Sequence, residues 1–481
     1  MSDKLRYAED RVVIAEPLTD ILSGWADELR YEDLPDEVVT AVKRTCLDFV
    51  VIALAGASGR GAGDSSAEGL APVIAFARSH PGSATVVGSS FSALPQYAAL
   101  ANGAFAHALN LMDVHRWSAP THLGPTVYGA AFAAAQVAPI GFEDFATGVA
   151  VGFEAIGKLG MALNPGHGVV DSTQANSVGA ALQTAKILGL TRSQMADSLG
   201  IATFMACGGT VSLELLSPGY WCRPLLSGWQ ASVGLSAAML AAEGLRGSPR
   251  IIEAPYGFLN AESVDPDPAA LHRLGEPFEV TRTGLKVYPT TRYLHAEIEA
   301  MLGLTAEHDL APEAVTEILV EKPRALYEVT ASKDRRDPRV AEVARLSTYY
   351  IVAAALARRG LWLDALEPQA LDDPRIRATM AKVVCRPDAA LDALFPEALG
   401  ARVTVQLDDG RRLSREVLYP KGEPERPLGD DELMAKYEAL YDYCMAESMP
   451  RARFDEIIGR ALALEDEPDI GEFFRLTSSA G

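Results

Sequence analysis

The chain has 481 residues, 48% apolar and 22% charged, a balance that excludes a disordered polymer and leaves room for two or three domains around a large core. Its 64 acidic against 43 basic side chains give a net charge of −21 without a long basic run, which argues against nucleic-acid binding. A small anion can still be held where local cations oppose that global field.

From about Glu16 to Glu253 the pattern is helical, with Ala-rich segments at three-to-four-residue apolar spacing broken by Gly and Pro. Pro35 followed by Asp36 and Glu37 opens one helix. The segments 129–135, 179–188 and 228–244 place small residues on successive turns, which predicts close helix–helix approach. The longest apolar run, 225–245, carries Ser227, Trp229, Gln230, Ser232 and Ser236, so a buried helix fits it better than a membrane span. The texture changes near Glu276: residues 278–288 alternate and are β-branched, predicting a strand that Pro289 ends, followed by a helix bearing Ile298 and Leu302. Residues 315–322 form a further predicted strand, and 401–417 a β-hairpin turning at Asp409-Gly410. Strands mixed with helices over 281–420 indicate a separate α+β domain between helical parts at 1–280 and 421–481, with Asp430, Asp431 and Glu432 at a helix start. The expected fold class is mostly α.

Two stretches concentrate cationic and imidazole groups in this acidic chain. One runs from Ala101 to His122 and includes His107, Asn110, Asp113, His115 and Arg116; the other runs from Lys286 to His295 and includes Arg292. Fixed positive charge beside a substrate carboxylate allows a neighbouring carbon to lose a proton near neutral pH. His122 lies in a loop entering a helix, a suitable place for a general base or acid. Lys286 precedes Pro289 and is either an edge-strand lysine or a group that stabilises an enediolate. Arg223 is suited to gripping a carboxylate through two parallel hydrogen bonds, or to a structural ion pair. Asp113 is suited to orienting a histidine or accepting a substrate hydroxyl and His115 to substrate binding, each otherwise a solvated loop residue. Arg292 is suited to facing a cleft, with His295 to lid packing, and Tyr350 to proton donation or to the core. His107 is expected to pack inside the bundle. The histidines at 107, 115 and 122 lack a ligand pattern for iron or zinc, and neither a dinucleotide nor a P-loop motif is present, so no cofactor or metal is expected. Five scattered cysteines (46, 207, 222, 385, 444) with no evident leader point to reduced thiols in the cytoplasm.

Several segments together resemble the MmgE/PrpD family. They are Asn102-Gly-Ala-Phe-Ala-His-Ala-Leu, the later His122, Gly179-Ala-Ala-Leu-Gln-Thr-Ala-Lys, Ser227-Gly-Trp-Gln-Ala-Ser-Val-Gly, Lys286-Val-Tyr-Pro with His295, and Tyr419-Pro-Lys-Gly-Glu-Pro-Glu-Arg-Pro. Members of that family include 2-methylcitrate dehydratase, cis-aconitate decarboxylase and iminodisuccinate epimerase. The resemblance implies a large helical domain built from both chain ends, an inserted α+β lid, and a homodimer. It also implies catalytic roles for His122, Lys286 and Tyr350 (Tyr349 being adjacent), with Asp113 from the altered loop. Departures are concentrated in that loop. The family's Asp-Phe-Asp-Asp-Thr is here Asn110-Leu-Met-Asp113-Val114, its lysine before the glycine-rich helix is Arg223, and its second histidine aligns with Val170, leaving His115 or His167 as substitutes.

The expected function is a cofactor-independent lyase of dehydratase type on a small carboxylate, with His122 and Lys286 as the acid–base pair. Epimerisation or decarboxylation through the same carbanion chemistry are alternatives, and an inactive binding protein is the reading from another class.

Overall fold

The computed structural model describes residues 12–60, 63–118, 122–164, 173–206 and 225–479. The first half folds into helices α1 (Leu18–Glu28), α2 (Asp36–Ala57), α3 (Gly63–Arg78), α4 (Pro95–Ala108), α5 (Gly124–Ala135), α6 (Phe142–Ala162), α7 (Thr173–Ile187), α8 (Arg192–Met205) and α9 (Leu225–Ala242). A short antiparallel ribbon, β1 (Pro81–Thr85) and β2 (Ser92–Ala93), separates α3 from α4. Pro35 stands at the N-cap of α2, and Asp36 and Glu37 meet the positive end of its dipole.

Small residues set the packing. Helices α4, α5 and α7 each pack against α9, α5 also packs against α4 and α7, and α4 crosses α9 at a glycine pair. A Cβ on Gly103 would lie 2.8 Å from the Gly228 Cα, so these backbones touch directly. Helices α6 and α9 are long and apolar enough to cross a membrane by length and composition alone. Most of each is packed inside the protein, although Trp229 and Leu240 of α9 are exposed.

Beyond residue 290 the chain forms α10 (His295–His308), α11 (Thr348–Arg358) and a four-stranded sheet of order β4-β3-β5-β6. Its strands are β3 (Val315–Lys322), β4 (Val383–Pro387), β5 (Ala401–Leu407) and β6 (Arg412–Val417). The β5–β6 hairpin closes over Asp408, Asp409 and Gly410. Leu407 N donates to Arg411 O at 2.9 Å, and Gly410 takes the left-handed φ of +90° that this loop requires. Strand β4, which pairs parallel to β3, has no counterpart among the predicted elements.

The strand expected at 278–288 is not formed. Glu279–Arg282 is a 3₁₀ turn, and the one bridge nearby joins Gly284 antiparallel to Val114. The Glu154 carboxylate accepts the main-chain N–H groups of Gly275 and Glu279, drawing this segment off any ladder.

One hydrophobic cluster joins residues 14–285 to the closing helices α12 (Asp430–Leu440), α13 (Arg451–Leu462) and α14 (Ile470–Arg475). Phe474 stacks on Phe132 of α5 with ring centroids 4.0 Å apart. Residues of α10, α11 and the sheet form separate clusters, with Met301 and Leu304 packed on Ile318, Val320, Val403 and Val405. The protein is mostly α.

Candidate active site

Helix α4 ends at Ala108, and Asn110 follows with a φ of 56°. Asparagine tolerates this left-handed state better than other side chains except glycine. The chain then runs through Leu111–Ser118, all buried except the partly exposed Trp117, and is stitched to Gly284 by reciprocal hydrogen bonds of 2.9 Å with Val114.

Two residues along from Gly284, Lys286 is fully buried. Its Nζ donates to Asn110 Oδ1 at 2.7 Å and Asn110 O at 3.1 Å, with Met112 Sδ at 3.8 Å. An ammonium only donates, so this contact fixes the amide orientation and turns Asn110 Nδ2 away. That Nδ2 is buried and has no acceptor among the described residues.

His122 is half-buried, and its Nδ1 lies 2.6 Å from Asp113 O. A carbonyl cannot donate, so Nδ1 carries the proton and Nε2 is the basic nitrogen of the neutral ring. The His107 ring stands edge-on at 5.4 Å, on α4, with Nδ1 2.9 Å from Ser227 Oγ.

Asp113 therefore positions His122 through its main chain. Its carboxylate caps α5, accepting Gly124 N at 2.9 and 3.1 Å. A Cβ on residue 124 would lie 2.7 Å from Asp113 Oδ1, which explains a glycine there. Burial pushes the Asp113 carboxyl up to about 7 and Asp48 adds to the rise, against the Gly124 and Leu123 amides and the Lys286 ammonium.

Arg292 is buried, with Nε 2.6 Å from Glu423 Oε1 and Nη1 3.3 Å from His295 Nδ1. Its Nη2 has no partner among the described residues. Burial, and then the nearby charges of Arg292 and Lys286, hold His295 well below the usual imidazole value, so its ring is neutral.

Other expected residues sit elsewhere. His115 has both nitrogens engaged, with Glu279 Oε2 at 2.6 Å and Ser118 Oγ at 2.8 Å, within a buried group that includes Lys158 and Glu154 and is flanked by the partly exposed Arg282. Tyr350 donates to Ala365 O at 2.5 Å and Tyr349 to Ala331 O at 3.0 Å, both inside the α+β segment. Arg223, His167, Val170, Cys207 and Cys222 lie outside the described residues. Burial raises the thiols of Cys46, Cys385 and Cys444, the last two to about 12, which leaves them poor nucleophiles. Among the described residues no group of three His, Cys, Asp or Glu side chains is placed to hold a metal ion.

The sequence reading missed a second ion pair behind the loop. Lys436 of α12 donates to Asp48 of α2 at 2.6 Å and reaches Leu111 O at 3.4 Å. The signal was a single acid, Asp48, in the otherwise apolar second half of α2, residues 46–57.

Two family models match most of the chain. The MmgE/PrpD N-terminal domain matches residues 20–270 and the C-terminal domain residues 288–462. A "Cis-aconitate decarboxylase-like protein oryM" of Aspergillus oryzae is 27% identical, covering 95% of this chain and 96% of its own. The "Cis-aconitate decarboxylase" of Aspergillus terreus is 26% identical over 95% of each chain. The "2-methylcitrate dehydratase" of Salmonella typhimurium is 24% identical over 74% of this chain and 77% of its own. The chain belongs to the MmgE/PrpD family.

Proposed function

We propose that the protein is a cofactor-independent lyase that acts on a small carboxylated substrate, with His122 and Lys286 as its acid–base pair. The observation that carries this reading is a set of buried donors with unmet capacity around a buried cation. Asn110 Nδ2 and Arg292 Nη2 are without acceptors among the described residues, and the charges of both Arg292 and Lys286 reach His295. A buried donor without an acceptor costs about 1–3 kcal/mol, a cost that a carboxylate oxygen would remove. His122 presents Nε2 as a base, and Lys286 stabilises the charge that develops on the substrate carboxylate.

Within the lyases, loss of CO₂ is the stronger reading. Dehydration needs a proton donor at the departing hydroxyl, and Met112 and Val114 remove two of the polar groups, an acid and a threonine, that the family carries in this loop. The relatives matched nearly end to end are named decarboxylases. In decarboxylation the carbon–carbon bond breaks, CO₂ leaves, and the electron pair stays on the substrate carbon. The Lys286 ammonium, or the His122 ring once solvent has protonated Nε2, delivers a proton to that carbon and is re-protonated from water. The segment 281–420 acts as a lid over this site, and the enzyme works in the cytoplasm as a homodimer.

The test is incubation of cis-aconitate and 2-methylcitrate with the protein in deuterated water, following CO₂ release and deuterium incorporation by NMR. The expected result is CO₂ release with one deuterium in the product, abolished in His122→Ala and Lys286→Met. Turnover unchanged in both variants would remove the acid–base assignment. Tight substrate binding without turnover by the unmodified protein would favour the binding-protein reading.

A further inference from the structure

We propose that Glu423 is a positioning residue that locks the loop carrying Asp113 and His122 against the segment carrying Lys286 and Arg292. The inference rests on the reading of those four residues as working groups. Glu423 is buried at the end of a turn that closes through Gly422 N to Arg426 O, 2.8 Å, and Glu423 N to Pro420 O, 3.2 Å. Gly422 has a φ of +89°, and a Cβ there would run into Leu285 O, so only glycine allows this approach. Leu285 N donates to Gly422 O at 2.9 Å, while its neighbour Gly284 is bonded on the other side to Val114. The backbone beside Lys286 is thus held between the active loop and this turn.

Side chains repeat the pattern. Glu423 Oε1 accepts Arg292 Nε at 2.6 Å, and Oε2 accepts Arg116 Nη1 at 2.9 Å. One carboxylate therefore binds an arginine from each partner, and all three side chains are almost wholly buried. Glu425 also pairs with Arg116 but, among the described residues, forms no hydrogen bond or ion pair with the Lys286 segment, and it is about one-third exposed. Removing the Glu423 charge leaves Arg292 buried beside His295 without its carboxylate. Its guanidinium is then released from the orientation that aims Nη2.

The experiment compares Glu423→Gln with Glu425→Gln in the full chain. Hydrogen exchange without substrate should show segments 111–118 and 284–286 losing protection together, by tenfold or more, in Glu423→Gln. Glu425→Gln should leave 284–286 at the unmodified rate. In turnover, Glu423→Gln should lower kcat at least tenfold through the displaced His122–Lys286 pair and raise KM through the released Arg292, while Glu425→Gln should leave both within threefold. Should Glu423→Gln fail to fold, Arg116→Met removes the bridge on the loop side alone and should expose 111–118 in the same direction. Unchanged exchange in 284–286 in Glu423→Gln, or equal effects of both glutamate variants, would overturn the proposal. Failure of the unmodified protein to turn over any carboxylate would remove the lyase reading, while the exchange result would still decide the role of Glu423.

Discussion

Lys286 meets Asn110 twice, at the side-chain oxygen (2.7 Å) and at the main-chain oxygen (3.1 Å). The left-handed turn at Asn110 lets both oxygens face one ammonium, so the residue serves by its backbone state as well as by its amide. Asn110→Gly keeps the turn and loses the side-chain acceptor, which should cost about 1.5–3 kcal/mol for a hydrogen bond to a charged group. Asn110→Ala also strains the turn and should be less stable than the glycine variant by about 1 kcal/mol. Urea denaturation of both variants measures the difference. Equal stability would mean that the left-handed turn is abandoned when the side chain is lost.

Asp113 predicts a pH dependence of definite sign. Its carboxyl sits at about 7 in the fold, above the ordinary carboxylate range, so the folded chain holds a proton that the unfolded chain releases. The stability from this group is complete below about pH 4 and is lost as pH rises towards 7. Asp113→Asn keeps an oxygen for Gly124 N and removes the titration. Relative to the unmodified protein, this variant should gain about 2 kcal/mol between pH 5 and pH 8. Denaturant midpoints at the two pH values give the number, and parallel curves would contradict it.

The crossing of α4 and α9 gives a test of packing. A Cβ on Gly228 would strike Leu100 O and lie 3.0 Å from Ala104 N, so Gly228→Ala should cost about 1–3 kcal/mol. Gly459 is in the interior of α13 with open space around it, and Gly459→Ala should stabilise by about 0.5–1 kcal/mol through helix propensity alone. Thermal melts of the pair should move in opposite directions. A stabilised Gly228→Ala would mean that the two helices have room to part.

Local signals carried much of this structure in the sequence. The small residues that predicted close packing, such as Gly228 of α9, are found at helix crossings, and Asp409-Gly410 turns its hairpin. The loop that brings Asn110 to Lys286 and Asp113 to His122 was also legible as a polar, histidine-bearing stretch after an Ala-rich helix. Strand β4 was not, since its partner β3 lies some 60 residues away in sequence and nothing local encodes a parallel pairing. Residues 278–288 misled because β-branched alternation describes a preference, and the fold overrides it when Glu154 captures the main chain at Gly275 and Glu279. His115 and Tyr350 are polar groups that sequence cannot assign to cleft or core. Their hydrogen bonds to Glu279 and Ala365 turn them inward.

The buried charges around Glu279 provide the strongest stability prediction. Its carboxylate meets Lys158 Nζ at 2.8 Å, His115 Nε2 at 2.6 Å and Arg282 Nη1 at 3.1 Å, tying α6, the active loop and the 3₁₀ turn together. Burial pushes this carboxyl up, but the hydrogen bond from His115 and the cations Arg282 and Lys158 outweigh it and hold it at about 2. The stability it supplies is therefore present above about pH 4.5 and disappears as pH falls towards 2. Glu279→Gln keeps the shape and strands a buried lysine, so it should cost about 3–5 kcal/mol at neutral pH. The same variant should flatten the acid limb of the stability curve between pH 4.5 and 3. Adding Lys158→Met should recover part of the loss, because the stranded cation is removed with its partner. Denaturant unfolding of the two single variants and the double variant closes the cycle. Additive losses would show that Glu279 and Lys158 act independently and that this carboxylate does not serve as the shared anchor.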